Sequence, residues 1–136
     1  MFLDHQRLDL FDKMLFEKAL IRPPMRRPLA MPNEACLLYI IKGVNEVISP
    51  TETELVNETQ ALMMKCDNYF FEMKSADKAN TYQAIAVHFY PEVLKKVFEN
   101  DFPAFLKAEQ QEPAISAMIK LKVDRVLERY VGSILV

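Results

Sequence analysis

Apolar and polar residues alternate in short, evenly spaced blocks over the first two thirds of the chain. In residues 12–21, DKMLFEKALI, Leu15, Glu17, Ala19 and Ile21 alternate with Phe16, Lys18 and Leu20, which makes a strand possible. Residues 35–41, ACLLYII, form an almost unbroken apolar run rich in β-formers, the pattern of a strand buried on both faces. Lys42 and Gly43 read as a turn, with residues 44–49 returning as the second strand of a hairpin until Pro50. TETELV, residues 51–56, alternates again, and NETQ, residues 57–60, is a turn. ALMMKC, residues 61–66, reads as another buried strand, Asp67-Asn68 as a turn and YFFEMKS as the strand that returns. After a polar loop, TYQAIAVHFY, residues 81–90, makes a long strand.

Two regions break this rhythm. Four prolines fall within residues 23–32, so an extended, partly polyproline-like arm without regular structure is expected there. At Pro91 the period changes. Proline suits a first helical turn, Glu92 favours its positive end, and Leu94, Val97 and Phe98 share one face. In the last block, residues 113–136, Ile119, Val123, Val126, Leu127, Tyr130 and Ile134 recur at helical spacing, as a stripe that packs on the preceding strands or pairs with another chain. Short strands broken by turn residues indicate an all-β sandwich or barrel. The expected order is therefore an arm plus β-barrel over residues 1–90 and a helical segment over residues 91–136.

Composition narrows the chemistry. The 136 residues fit one domain, and a net charge of −2 lacks the basic excess of a nucleic-acid binder. The acidic N-terminus is unlike a secretory signal and no apolar run is long enough to span a membrane, so a cytoplasmic location is expected. Two glycines are too few for a phosphate-binding loop, and no G-x-S-x-G elbow occurs. The two histidines, His5 and His88, lie far apart, and the cysteines, Cys36 and Cys66, are single, so no metal, cofactor or catalytic residue is expected. In a cytosolic chain both thiols are expected reduced and packed.

Candidate binding residues come from strand alternation. In the strand over residues 81–90, Tyr82, Ala84, Ala86, His88 and Tyr90 share one face, where small side chains leave room and Tyr and His supply hydrogen bonds. Tyr39 and Tyr69 join Tyr82 and His88 as candidate polar groups of a pocket. A half-exposed His88 near a strand end is the plainer alternative. Arg22, Arg26 and Arg27 lie in the Pro-rich arm, either as a solvated loop or as cations that fold over the pocket and meet an anionic ligand. In MMKCDNYFFEM, Cys66 has no histidine nearby in sequence to activate it, so the window reads as a hairpin in which Tyr69 and Phe71 face opposite to Phe70.

The blocks ACLLYIIKGVNEVISPTET, ALMMKCDNYFFEM and YQAIAVHFYPEVLKKVFEN, in that order, resemble the N-terminal effector-binding domain of AraC-type transcription regulators, in a branch related to type III secretion activators. The resemblance spans residues 16–131. It implies a cupin-like jelly-roll β-barrel followed by two or more α-helices that can mediate dimerisation, with no catalytic role. It also implies a DNA-binding helix-turn-helix domain beyond this chain, through which alone DNA would be contacted. Asp67 departs from the pattern, in which glycine precedes the Asn-Tyr pair. The Pro-rich arm matches the position of an arm that covers the pocket in some members.

Two main functions follow. One is a sensor that binds a small-molecule effector or partner protein in the barrel and signals to the DNA-binding half. The other is an interaction or dimerisation module whose barrel is filled by residues such as Leu38, Ile40, Leu62 and Phe70. A cupin-type isomerase is a third reading, disfavoured by the missing histidine pair. A partly polar cavity above roughly 300 Å³ separates the first from the second.

Overall fold

The structure is a computed structural model that describes residues 2–76, 78, 80–93 and 118–121. Ten strands follow one another: β1 (Phe2–Leu10), β2 (Lys13–Ile21), β3 (Met25–Met31), β4 (Ala35–Lys42), β5 (Val44–Ile48), β6 (Thr53–Val56), β7 (Ala61–Met64), β8 (Asp67–Lys74), β9 (Tyr82–Phe89) and β10 (Met118–Leu121). They form a six-stranded sheet in the order β1-β2-β9-β4-β7-β10 and a four-stranded sheet in the order β3-β8-β5-β6.

The main core lies between the sheets. Ile21, Cys36, Leu38, Ile40 and Tyr82 from the larger sheet meet Met31, Val47, Tyr69 and Met73 from the smaller one. Strand alternation explains the second cluster: on β4, Tyr39 points to the other face and is buried there with Ala61 and Ile85. β4 is thus buried on both faces, as its apolar run predicts.

The expected closed jelly-roll barrel is not what forms. Among the described residues no strand pairing joins the two sheets, which end in β1 and β10 on one side and in β3 and β6 on the other. Both predicted hairpins turn out to be crossings between sheets. β4 lies in the six-stranded sheet and β5 in the four-stranded one, and β7 and β8 divide in the same way. Gly43 makes the first crossing at φ 93°, and a Cβ there would lie 2.7 Å from the Lys74 carbonyl oxygen. A turn signal marks a change of direction, but its residues do not specify whether the next strand pairs with the last or faces it.

The predicted arm is a strand as well. β3 pairs with β8 at the sheet edge, with Pro28 opposite Phe70. Proline is tolerated there because an edge strand leaves one side of its backbone unpaired. β1 had no counterpart in the hydrophobic pattern. It pairs with β2 through a two-residue turn in which Phe11 (φ 52°) and Asp12 (φ 61°) are both left-handed, the geometry that matches strand twist in hairpins.

The expected run of helices is corrected where it can be compared. Residues 91–93 form a helical turn, as Pro91 and Glu92 suggest. Ile119, assigned to a helical stripe, belongs instead to β10, paired with Met63 of β7 and 43% exposed. A short apolar segment satisfies either period, and the open side of β7 decides in favour of a strand. Val123, Val126, Leu127, Tyr130 and Ile134, like Leu94, Val97 and Phe98, lie outside the described residues.

Candidate functional site

The inner face of β9 carries Tyr82, Ala84, Ala86 and His88. His88 sits directly opposite Cys36 of β4. Its Nδ1 lies 3.1 Å from Glu34 Oε2 and its Nε2 2.9 Å from Glu17 Oε2. The other oxygen of Glu17 lies 3.1 Å from His5 Nε2. One carboxylate therefore bridges a histidine on β1 and a histidine on β9. The His88 side chain is 5% exposed, against 14% for Glu34 and 21% for Glu17.

These contacts set the protonation of the cluster. Burial opposes a charge on His88, but its neighbours Cys36 and Glu17 favour one and raise the imidazole pKa to about 10. Burial also opposes the charge on Glu17, yet hydrogen bonds from His88 and His5 hold its carboxyl below the usual value. The Cys36 thiol is pushed up by burial despite its contact with His88. At neutral pH the thiol is therefore uncharged, and His88 is an imidazolium that donates an N–H to each carboxylate.

Two further groups complete the polar end. Tyr90 stacks on His88 with ring centroids 6.2 Å apart, and burial raises its phenol pKa, helped by the charge of Glu34. The Lys13 ammonium lies 5.7 Å from the centre of the Tyr90 ring. Deeper in the core, Asn45 Nδ2 donates to the Tyr82 hydroxyl at 3.0 Å, while Asn45 Oδ1 is buried without a partner among the described residues.

This cluster forms one end of a cavity of about 240 Å³ between the sheets. Its polar end is lined by His5, Arg7, Glu17, Glu34, His88 and Tyr90, and its apolar end by Leu29, Leu38, Phe71, Met73, Tyr82 and Ala84. Strands β1 and β3 flank it, and the Arg27 guanidinium spans them by lying 5.3 Å from the centre of the Phe2 ring. The cavity is smaller than the ~300 Å³ at which drug-sized pockets begin.

The candidate residues thus separate. Tyr82 and His88 line the cavity, and so does Arg27. Tyr39 lies on the opposite face of the sheet. Tyr69 is buried in the core and donates its hydroxyl to the Lys65 carbonyl instead of reaching the cavity, while its neighbour Phe71 lines it. Arg26 pairs with Glu72 at 2.6 Å, and Arg22 is exposed and does not line the cavity. His5, Arg7, Glu17, Glu34 and Cys36 were not anticipated. Glu17 alone carried a signal, as the one acid on the strand face shared by Ala19 and Ile21.

Among the described residues no group of three or more His, Cys, Asp or Glu side chains is placed to hold a metal ion. No helix among them is long and apolar enough to cross a membrane.

The family model described as the ExsA N-terminal regulatory domain matches residues 35–136. Comparison with curated proteins finds no match. Among solved structures, ToxT from Vibrio cholerae strain SCE256 with an unsaturated fatty acid bound is similar at TM-score 0.60 and 8% identity, over 89% of this chain and 45% of that one. ToxT from Vibrio cholerae O395 bound to (E)-4-(8-methylnaphthalen-1-yl)but-3-enoic acid gives TM-score 0.58 and 7% identity, over 89% and 47%. The Cnp3 cupin domain of Schizosaccharomyces pombe gives TM-score 0.52 and 12% identity, over 78% of each chain. The chain spans about half the length of the ToxT structures, and at these identities the likeness concerns the fold.

Proposed function

The chain belongs to the family of ExsA N-terminal regulatory domains, cupin-type modules of AraC regulators, and on that premise we propose that it is a small-molecule sensor. The effector occupies the cavity between the sheets, and occupancy is passed on to a DNA-binding domain of the longer regulator. The module acts by binding, without catalysis, and in the cytoplasm. The observation that carries this reading is the cavity itself, with an apolar end and a polar end meeting where β1 and β3 flank it.

The geometry favours a compact amphipathic acid. Arg27 borders the cavity, rests on the Phe2 ring and has no carboxylate partner among the described residues. Guanidinium groups bind carboxylates through paired hydrogen bonds. Arg27 stands opposite Phe71, so the hydrocarbon part lies beside it against Leu29, Leu38 and Phe71. The fatty acid and the aryl butenoic acid bound by ToxT belong to the same chemical class. Signalling requires that the acid bind one arrangement of β1 and β3 better than another.

A thermal-shift screen of the chain against short-chain and aryl carboxylic acids tests the reading. A ligand at 100 times its Kd stabilises the native state by about 2.7 kcal/mol, an easily read rise in Tm. The expected result is a hit among these acids that Arg27→Gln weakens. No shift with any acid, or a hit indifferent to Arg27, contradicts it.

The modest cavity volume favours one second reading, an interaction or dimerisation module with no small ligand. A screen without hits, together with a defined oligomer or protein complex, would select it.

A further inference from the structure

β1 differs from the other described sheet edges. Its neighbour across the sandwich, β3, carries Pro28 with exposed Arg26 and Arg27, and β6 and β10 are each four residues long. Short length, proline and edge cations are the features that keep an edge from pairing with another chain. β1 has nine residues, all exposed and without proline, and its charges, Asp4, Arg7 and Asp9, are of both signs and so can pair with those of a second copy. Leu8 on it is 62% exposed, Leu3 40% and Leu10 39%. One side of β1 pairs with β2, and no described strand pairs with the other.

We propose that this edge pairs with the β1 edge of a second copy of the chain, antiparallel about a twofold axis at Leu8, so that two six-stranded sheets become one. In an antiparallel ladder, residues opposite one another share a face, and a twofold axis sets one residue against itself. The register with β2 puts Arg7 on the cavity side, opposite Glu17, and Leu8 on the other side, opposite Phe16.

An axis at Leu8 sets Arg7 against Asp9 of the second copy, twice, and Leu8 against itself, with Leu10 diagonal to it. Arg7 already holds its own Asp9 through two hydrogen bonds of 3.0 Å, so the four groups form a ring of alternating sign. The other axes fit less well. At Arg7 the two guanidiniums stand opposed, at Gln6 His5 faces Arg7, and at His5 no opposite charges meet. Pairing over residues 6–10 is five residues long, an ordinary strand length.

The test is light scattering of the chain up to millimolar concentration, with cysteine cross-linking in a Cys66→Ser background. The expected mass approaches twice the 15.8 kDa of one chain. Leu8→Cys, on the axis, should cross-link to itself under oxidation at least tenfold faster than Gln6→Cys, which faces Leu10. Arg7→Asp and Asp9→Arg should each lower the dimer fraction, and the double exchange should restore it. Because β1 is exposed, these variants should keep the wild-type circular dichroism spectrum. A single-chain mass at all concentrations overturns the proposal. So does a dimer in which Leu8→Cys cross-links no faster than Gln6→Cys.

Discussion

His88 joins segments that are far apart in sequence. Its imidazolium ties Glu17 of β2 to Glu34 just before β4, and Glu17 in turn holds His5 of β1. Removing one partner of a buried pair leaves the other charge uncompensated. His88→Gln should therefore lower unfolding stability by about 3 kcal/mol, read from urea denaturation at pH 6. The pH dependence has a definite sign. The folded-state pKa of His88 is raised from 6.5 to about 10, so its contribution is full below about 6.5 and is lost as pH climbs through 10. Glu17 is lowered from 4.5, so its contribution is present above that value and lost as pH falls further. Wild type should lose stability between pH 6.5 and 10 more steeply than His88→Gln, and parallel profiles would contradict the assignment. At Tyr82, removing the hydroxyl leaves the buried Asn45 amide with no partner among the described residues. Tyr82→Phe should cost about 2 kcal/mol in the same assay.

At the scale of elements, the crossings between sheets create the interior. β4 to β5 and β7 to β8 each step from one sheet to the other, and Gly43 makes the first step possible. Its left-handed φ and the nearby Lys74 carbonyl both exclude a side chain. Gly43→Ala should cost more than about 1 kcal/mol, seen as a lowered Tm, and an unchanged Tm would show that the crossing tolerates a side chain. Much of this was legible in the sequence. Alternation placed strands over the cores of β4 to β9 and put Tyr82 and His88 on one face. It also set Tyr69 and Phe71 opposite to Phe70, although Phe71 is the one that reaches the cavity. Strand pairing was not legible, because a hairpin and a sheet crossing use similar turn residues. β1 was missed because its strand is mostly polar and wholly exposed, so burial imposes no alternation on it. The acidic partners of His88 were missed for a related reason: they come from separate segments that only the folded sheet brings together.

At the scale of the molecule, no strand pairing among the described residues joins the two sheets where β1 and β3 run along the cavity. An N-terminal segment outside the matched family region, residues 2–34, thus supplies much of the cavity wall. That arrangement suits a sensor, since strands at the sheet edges can respond to occupancy without disturbing the core around Ile40 and Val47. The most direct test compares calorimetric binding of the best carboxylic acid to wild type and to Ala84→Phe, whose new ring would occupy the cavity. The account predicts saturable one-to-one binding by wild type and its loss in a folded Ala84→Phe variant. Equal binding by both would contradict it.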